Sequence, residues 1–590
     1  MCGIIGYIGR EEATPILLKG LKNLEYRGYD SVGMATKSDR INICKGVGKI
    51  DRAIIDFDLT ALKGNIGIGH TRWATHGVVS VANAHPHTDC KKSVAIVHNG
   101  IIENHQEIKE KLKAKGHIFS SDTDSEVIAH LIEEKLEQDR RGFEKACMEA
   151  FKELHGSYAL LAISRDENRI VAARKDSPLV IGLAESGTIF SSDVSALLEW
   201  TRKVVYLQNY DVAVACKKEV VFHSLMHDEQ ISRESDTVEW NAEQARKGKF
   251  EHFMLKEIAE QAETICRAIQ QDDTVVERVL EEVKKAKGIF FVGCGSSYHA
   301  CLTGSYLFSK VAGVHVNVVV ASEFENYEHF LTCDTLVFAV SQSGETADVL
   351  DAVRAARRRG SRVIAITNVI GSSLVREGDE LLLMNSGPEI CVLSTKTYTS
   401  QLMLISLLAY ALAGRKEECS SLIKSLFLEV CNLTSKSMHE DLKMLAGLLY
   451  QKEHIYMIGR GLQFATAREA ALKIKEVSYI HTEALAGGEL KHGPLALIEE
   501  GTPVFAFVSE DNWDKTRSNA EEVRARGGMV IGVSARDDEV FDYWIRVPEC
   551  RDFNPVIQAI PMQLLAYELA VKRELDPDKP RNLAKCVTVL

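Results

Sequence analysis

The second residue of the chain is a cysteine, followed by glycine and an apolar run, Met1-Cys2-Gly3-Ile4-Ile5-Gly6. Removal of Met1 would place a thiol and a free α-amine on one residue. An α-amine titrates at about 7.7–8.0, so near neutral pH part of it is unprotonated and can act as a base. A thiol with its own base attached is an activated nucleophile. One cysteine among 14 carries little weight by itself, so its companions matter. His70-Thr71-Arg72-Trp73-Ala74-Thr75-His76-Gly77 gathers a cation, two hydroxyls and two imidazoles in one short segment. His98-Asn99-Gly100 ends an apolar strand, and Ser121-Asp122-Thr123-Asp124 opens a helical pattern. An amide-cleaving cysteine needs an oxyanion hole, and an asparagine amide plus a backbone N–H are suitable donors. Arginine can clamp an α-carboxylate with two prongs, and Asp124 can hold an α-ammonium. Asp122 reads better as a helix cap. His85-Pro86-His87 with Cys90 offers metal-ligand types, but no fourth ligand sits at convincing spacing, and no metal is expected.

The second half holds a different chemistry. Ser341-Gln342-Ser343-Gly344-Glu345-Thr346 follows an apolar strand and precedes a helical pattern. Hydroxyls and free N–H groups at a helix start suit a phosphate dianion. Gly293-Cys294-Gly295-Ser296-Ser297 is a second turn of this kind; ordinary tight strand-to-helix turns are the alternative. Neither GxxxxGKS nor an intact GxGxxG is present, which argues against a nucleotide triphosphate or dinucleotide. Further on, Glu469, Lys473 and Glu476 share one face of a helical stretch, with Lys491-His492-Gly493 in a loop after it. Carboxylate, amine and imidazole together suit proton movement next to a carbonyl. On pattern alone, a surface ion-pair helix has the same spacing.

These groups must be positioned by several cores, since 590 residues imply roughly three to four domains. The net charge of −12 and the lack of a basic stripe disfavour a nucleic-acid partner. Scattered cysteines without CxxC fit a reducing compartment. No secretory segment is evident, and the longest apolar stretch, 402–414, is too short to cross a bilayer. Residues 1 to about 225 read as strand-rich, with runs at 93–97, 158–163, 179–183, 204–207 and 212–216 and a helix over 124–137. A polar stretch, 228–249, reads as a linker. Beyond it, 289–295 is echoed by 455–461, 336–340 by 503–507, and Arg359-Gly360 by Arg526-Gly527. In-register echoes of strand, turn and helix predict a duplicated α/β domain with parallel sheets.

MCGIIGYIG, LEYRGYDSVG, HTRWATHG, NAHPH, HNGIIENH and TDSEVI, in order over the first 130 residues, resemble the glutaminase domain of the N-terminal-nucleophile amidotransferases. The resemblance implies an α+β domain, an αββα sandwich, in which Cys2 attacks the glutamine amide. It further implies that Asn99 and Gly100 form the oxyanion hole, and that Arg72, Thr75, His76 and Asp124 bind the amino-acid end. CGSSYHA, SQSGETAD, LSTKTYTSQL, EAALKIKEVSYIH, GGELKHGPLALI and PRNLAKCVTV resemble the paired sugar-isomerase domains of the isomerizing glutamine–fructose-6-phosphate aminotransferases. By that similarity, Ser341, Gln342, Ser343 and Thr346 hold the sugar phosphate, while Ser297, Val392 and Ser394 line the sugar site. Glu476 is then the C1–C2 proton carrier with Lys473 beside it, His492 assists ring opening, Lys585 forms a Schiff base, and Trp73 gates ammonia. Four positions depart from the family pattern: Ser296 for Thr, Cys391 and Leu393 in Cys391-Val392-Leu393 for Gly-Val-Ala, and Leu590 for Glu.

The implied organisation is a glutaminase domain over 1–227, a linker over 228–249, sugar-isomerase domains over 250–420 and 421–570, and a tail over 571–590 closing the sugar site. The implied reaction moves the amide nitrogen of L-glutamine to D-fructose 6-phosphate. No cofactor or metal is implied, the location is cytoplasmic, and the assembly is a homodimer. Related amidotransferases with another phosphorylated acceptor lack the duplicated SQSGET half. A sugar-phosphate sensor would have no use for Cys2, HTRWATHG or Lys585.

Overall fold

The structure is a computed structural model that describes residues 2–73, 77–139, 142–217, 219–238 and 246–588. Thr75, His76 and Leu590, named above, lie outside the described residues. The chain divides into two compact units, Met1–Arg246 with Ala584–Leu590, and Lys247–Leu583.

In the first unit, strands of strictly alternating contacts build two antiparallel sheets. Along Gly3–Gly9, Ile4 and Ile8 face one core while Ile5 and Tyr7 face another. Along Gly156–Ser164, Ala159, Leu161 and Ile163 share the core of Ile4, and Tyr158, Leu160 and Ala162 turn the other way. A strand with both faces apolar must be covered on both sides. The shared core is therefore the interior between two stacked sheets. Helix Ala13–Leu24 covers the outer face of one sheet, and helices Glu126–Asp139 and Phe143–Lys152 the outer face of the other. The result is the expected αββα sandwich. Strand Gly3–Gly9 sits inside its eight-stranded sheet between Gly187–Ser191 and Ile66–Arg72, so Cys2 enters a central strand rather than an edge.

Two expectations change here. The stretch 228–249 is not simply a linker: Glu229–Ile231 and Asp236–Thr237 each add a strand to a sheet edge. Edge strands are half solvated and tolerate the polar composition that suggested a linker. The tail also divides differently. Val571 and Lys572 finish helix Asn554–Lys572, and residues from Ala584 onward group with the first unit. Cys586 and Thr588 are buried.

The second unit repeats one design. Strands Asn317–Val320, Gly288–Gly293, Thr335–Ser341, Arg362–Thr367 and Glu380–Leu383 form a parallel sheet in that order. His481–Ala486, His454–Gly459, Pro503–Phe507, Met529–Ser534 and Tyr543–Arg546 form its duplicate with the same order. The glycines that turn the first strand of each into its helix match closely: Gly295 has φ 54° and ψ −126°, and Gly461 has φ 58° and ψ −126°. A single apolar core joins both repeats through helices Lys396–Leu412, Leu462–Ser478 and Asn554–Lys572. Lys396–Leu412 is apolar around most of its circumference and is buried along nearly its whole length, as a helix without a polar face must be.

Candidate active sites

The Cys2 thiol is held by the backbone of Trp73, whose N–H donates to Sγ at 3.2 Å and whose carbonyl lies 3.4 Å from it. Strand pairing makes this meeting obligatory, because Gly3 is opposite Thr71 and the chain on either side must run together. The Thr71 hydroxyl accepts from the Gly3 N–H at 3.2 Å and the Ser192 hydroxyl from the Ile4 N–H at 3.0 Å. Burial pushes the Cys2 thiol up, opposed by the N-terminal amine, the Trp73 N–H and Arg72. A buried thiol of this kind needs a base close to it before it can attack.

Asn99 and Gly100 lie on strand Val94–Ile102. The Asn99 amide nitrogen donates to the Cys2 carbonyl at 2.7 Å. Its orientation is fixed from behind: His70 Nε2 lies 3.0 Å from the Asn99 side-chain oxygen and 3.0 Å from the His98 carbonyl. Both neighbours are acceptors, so Nε2 carries the proton and the Asn99 NH2 is turned toward Cys2. Burial lowers His70 to about 3, which keeps the ring neutral and this arrangement constant at physiological pH. Gly100 has φ +125°, and a Cβ there would stand 2.0 Å from the Ser157 carbonyl. Only glycine fits that close approach.

Arg72 ends strand Ile66–Arg72 and is buried, its guanidinium donating to the Gly77 carbonyl at 3.1 Å. Burial lowers its pKa, countered by the charges of Cys2, Asp30 and Asp124. Asp124 accepts the Ile102 N–H at 2.8 Å, which ties it to the same strand as Asn99 and Gly100. The helix consequently starts at Glu126 rather than at Asp124, and the Glu126 carboxylate caps the preceding turn by accepting from the Ser120 and Ser121 N–H groups at 2.8 and 2.7 Å. The first unit thus brings Cys2, Trp73, Asn99, Gly100, Arg72 and Asp124 to one end of adjoining strands.

In the second unit, the turn 341–346 links strand Thr335–Ser341 to helix Ala347–Arg358. Ser341 Oγ accepts from the Gly344 N–H at 3.1 Å and lies 2.9 Å from the Thr346 hydroxyl. The Gln342 carbonyl accepts from the Asn368 N–H at 3.1 Å. Gly344 has φ +64°, and a Cβ would meet the Ser372 hydroxyl at 2.1 Å. The hydroxyls of Ser341, Ser343 and Thr346 and the first free N–H groups of the helix are gathered in one tight turn, a ready anion cradle.

The charged face of helix Leu462–Ser478 is buried: Glu469 is 0 % exposed and Lys473 1 %, so the surface ion-pair alternative is excluded. Lys473 Nζ lies 2.7 Å from Glu476 and 3.5 Å from Glu469. Glu469 also accepts from the Ser296 hydroxyl and lies 2.8 Å from His299 Nδ1, which links it to the first repeat's glycine turn. The hydroxyl that Ser296 retains in place of Thr is therefore used. Burial alone would lower the Lys473 pKa, but Glu476 and Glu469 outweigh it and raise it. Lys473 stays an ammonium and cannot serve as a base; the half-buried Glu476 beside it can. Ser297, in the same turn as Ser296, accepts from the Gln401 amide at 3.0 Å.

Ser394 lies 2.6 Å from the Thr397 hydroxyl, and the Val392 N–H donates to the Asp578 carbonyl at 3.2 Å. Cys391 and Leu393 are fully buried in the shared core, so their bulk fills core volume. His492 stands exposed on the short turn Glu489–His492, with no hydrogen bond among the described residues. Lys585 is half-buried in the segment that groups with the first unit. Sequence reasoning missed His299, gave His70 no role of its own, and placed Glu469 on the right helix face without its partners. Each lies inside a quoted motif, but their roles come from contacts 29 to 173 residues away.

A strand-leading cysteine with an asparagine amide at its carbonyl, in a chain that also carries duplicated parallel sheets with hydroxyl-rich turns, defines a glutamine amidotransferase fused to paired sugar-isomerase domains. The family model described as "Glutamine amidotransferase domain" matches residues 70–199, and that described as "SIS domain" matches 282–411 and 448–573. Relatives named glutamine–fructose-6-phosphate aminotransferase [isomerizing] are 45 % identical over 602 residues in Thermococcus kodakarensis and 43 % over 613 in Clostridium acetobutylicum, covering 100 % of both chains in each case. The C-terminal domain of glucosamine-fructose-6-phosphate aminotransferase from Francisella tularensis is similar to 56 % of this chain over 99 % of its own, with 35 % identity and a TM-score of 0.52. The chain belongs to the isomerizing glutamine–fructose-6-phosphate aminotransferase family.

Proposed function

We propose that the chain transfers the amide nitrogen of L-glutamine to D-fructose 6-phosphate with isomerisation, releasing D-glucosamine 6-phosphate and L-glutamate, and that its two units divide the chemistry. With Met1 removed, the Cys2 α-amine takes the thiol proton as sulfur attacks the amide carbonyl. Asn99 and the Gly100 N–H hold the oxyanion, and collapse expels ammonia and leaves a thioester that water hydrolyses to glutamate. Arg72 and Asp124, with Thr75 and His76, hold the α-carboxylate and α-ammonium. Trp73, whose backbone clasps the nucleophile, gates the departing ammonia.

In the other unit, Ser341, Gln342, Ser343 and Thr346 hold the sugar phosphate, and Ser297, Val392 and Ser394 line the sugar. His492 assists ring opening, and Lys585, from the tail segment that groups with the first unit, forms a Schiff base at the C2 carbonyl with loss of water. Ammonia displaces the lysine as an imine, and Glu476 moves a proton from C1 to C2, beside the fixed positive charge of Lys473. The single observation behind the reading is the Cys2 thiol clasped by Trp73 with the His70-oriented Asn99 amide at its carbonyl.

The working form is a homodimer in the cytoplasm. All the cysteines are free, which suits a reducing compartment, and among the described residues no helix is long and apolar enough to cross a membrane. The test is isotopic. With amide-15N glutamine and fructose 6-phosphate, 15N must appear in the sugar amine; glutamate formation with 15N only in free ammonia refutes the transfer. Sedimentation at micromolar concentration tests the dimer.

A further inference from the structure

The Cys90 thiol, on the turn after strand His87–Thr88, does not face His85 or His87. It faces groups from two segments further along the chain. His117 follows helix His105–Ala114, and His130 and Glu133 stand one turn apart on helix Glu126–Asp139. Cys90 Sγ lies 3.5 Å from His130 Nδ1 and 3.9 Å from His117 Nδ1. Glu133 Oε2 lies 3.1 Å from His117 Nδ1 and 3.6 Å from His130 Nδ1. All four ligand atoms fall within 4.8 Å of one another. Around a tetrahedral zinc with Zn–S about 2.3 Å and Zn–N or Zn–O about 2.0–2.2 Å, neighbouring ligand atoms stand about 3.3–3.7 Å apart. The four edges measured above, 3.1–3.9 Å, bracket that polyhedron, and the other two are no longer than 4.8 Å.

The far side of each ring strengthens the case. His117 Nε2 lies 3.2 Å from Glu134, and His130 Nε2 lies 3.7 Å from Glu126. Glu134 stands within hydrogen-bond distance of His117 Nε2, whereas His130 Nε2 has Glu126 near it but no hydrogen-bond partner among the described residues; with the ring protons on Nε2, both Nδ1 lone pairs are aimed at Cys90 and Glu133. Two lone pairs, a carboxylate oxygen and a sulfur then converge on one point, a set that a cation satisfies. This is the usual second layer of a histidine metal site. The Ile118 N–H donates to Cys90 Sγ at 3.4 Å, an N–H···S contact that favours thiolate. His130 and Glu133 are buried while Cys90 is exposed, which supplies rigidity and a route of entry.

We propose that Cys90, His117, His130 and Glu133 form a structural zinc site. One thiolate, two imidazoles and one carboxylate in tetrahedral disposition select zinc over magnesium or calcium, and four protein ligands leave no open position for catalysis. Binding releases the Cys90 thiol proton to solvent. The ion stitches three segments together and fixes helix Glu126–Asp139, whose lead-in carries Asp124.

The test uses the full-length chain. Purified protein is desalted and its metal content measured, then stripped with a chelator and titrated with Zn2+ and Co2+. One zinc per chain and, with Co2+, visible tetrahedral bands with a thiolate charge-transfer band are expected. Cys90→Ser should lose the charge-transfer band and stoichiometric zinc while keeping its circular dichroism. Glu134→Gln, which alters the group behind His117 and leaves all four ligands in place, should weaken zinc binding about 10–100-fold. Absence of retained zinc together with a featureless cobalt titration overturns the proposal. So does zinc retained equally by wild type and Cys90→Ser, which places the metal elsewhere.

Discussion

Asn99→Ala isolates the oxyanion donor from the fold. Its amide nitrogen reaches the Cys2 carbonyl at 2.7 Å, and its oxygen accepts from His70, which also has the His98 carbonyl at 3.0 Å. After truncation the buried His70 N–H keeps that second acceptor, so the stability cost is that of ordinary hydrogen bonds, about 1 kcal/mol. Loss of one preorganised oxyanion donor costs about 10²–10³ in kcat. The variant should therefore melt close to wild type while glutamine-dependent glutamate release falls by about two to three orders of magnitude. Glucosamine 6-phosphate synthesis from added ammonia should be unchanged. The assay measures glutamate with and without fructose 6-phosphate, and amino sugar with ammonia. A decrease below about tenfold, or 1.4 kcal/mol, refutes the assignment of Asn99. Equal loss of the ammonia reaction refutes the separation of the two chemistries.

Arg72→Lys removes the two-pronged clamp and should raise KM for glutamine by the equivalent of about 1.5–3 kcal/mol, with kcat less affected, as read from initial rates. Gly344→Ala forces a Cβ against the Ser372 hydroxyl at φ +64° and should abolish fructose 6-phosphate binding by calorimetry while glutaminase activity without the sugar survives. Lys473→Met leaves the buried Glu469 and the half-buried Glu476 without their shared cation and should destabilise the second unit by about 3–5 kcal/mol, seen as a lowered melting transition. Acid should weaken the first unit: burial lowers His70 to about 3 and also lowers His85, His87 and His98. Above pH about 6.5 neither state binds these protons. Below it only the unfolded chain does, so stability falls by up to about 1.4 kcal/mol per pH unit for each such ring, until the pH passes the folded-state value. A melting midpoint that stays flat as the pH falls from about 7 to about 5 contradicts this.

The strands of both units were legible because their side chains alternate or repeat in register, and Gly295 and Gly461 adopt the same turn that the echo at 289–295 and 455–461 implied. The edge strands within 228–249 were not, since a half-solvated edge has the composition of a loop. Glu469 and Lys473 showed the correct face but not its burial, because helical spacing is the same in a core as at a surface. The companions of Cys90 were not legible, because they lie 27 to 43 residues on, across a helix and a loop, and not at His85 or His87.

The most direct measurement is glucosamine 6-phosphate formation by wild type and Cys2→Ala, each supplied with glutamine or with ammonia. The two-site account predicts that Cys2→Ala makes no amino sugar from glutamine, yet binds fructose 6-phosphate and uses ammonia as wild type does. Amino-sugar synthesis from glutamine by Cys2→Ala, or loss of both reactions together in a folded variant, would contradict it.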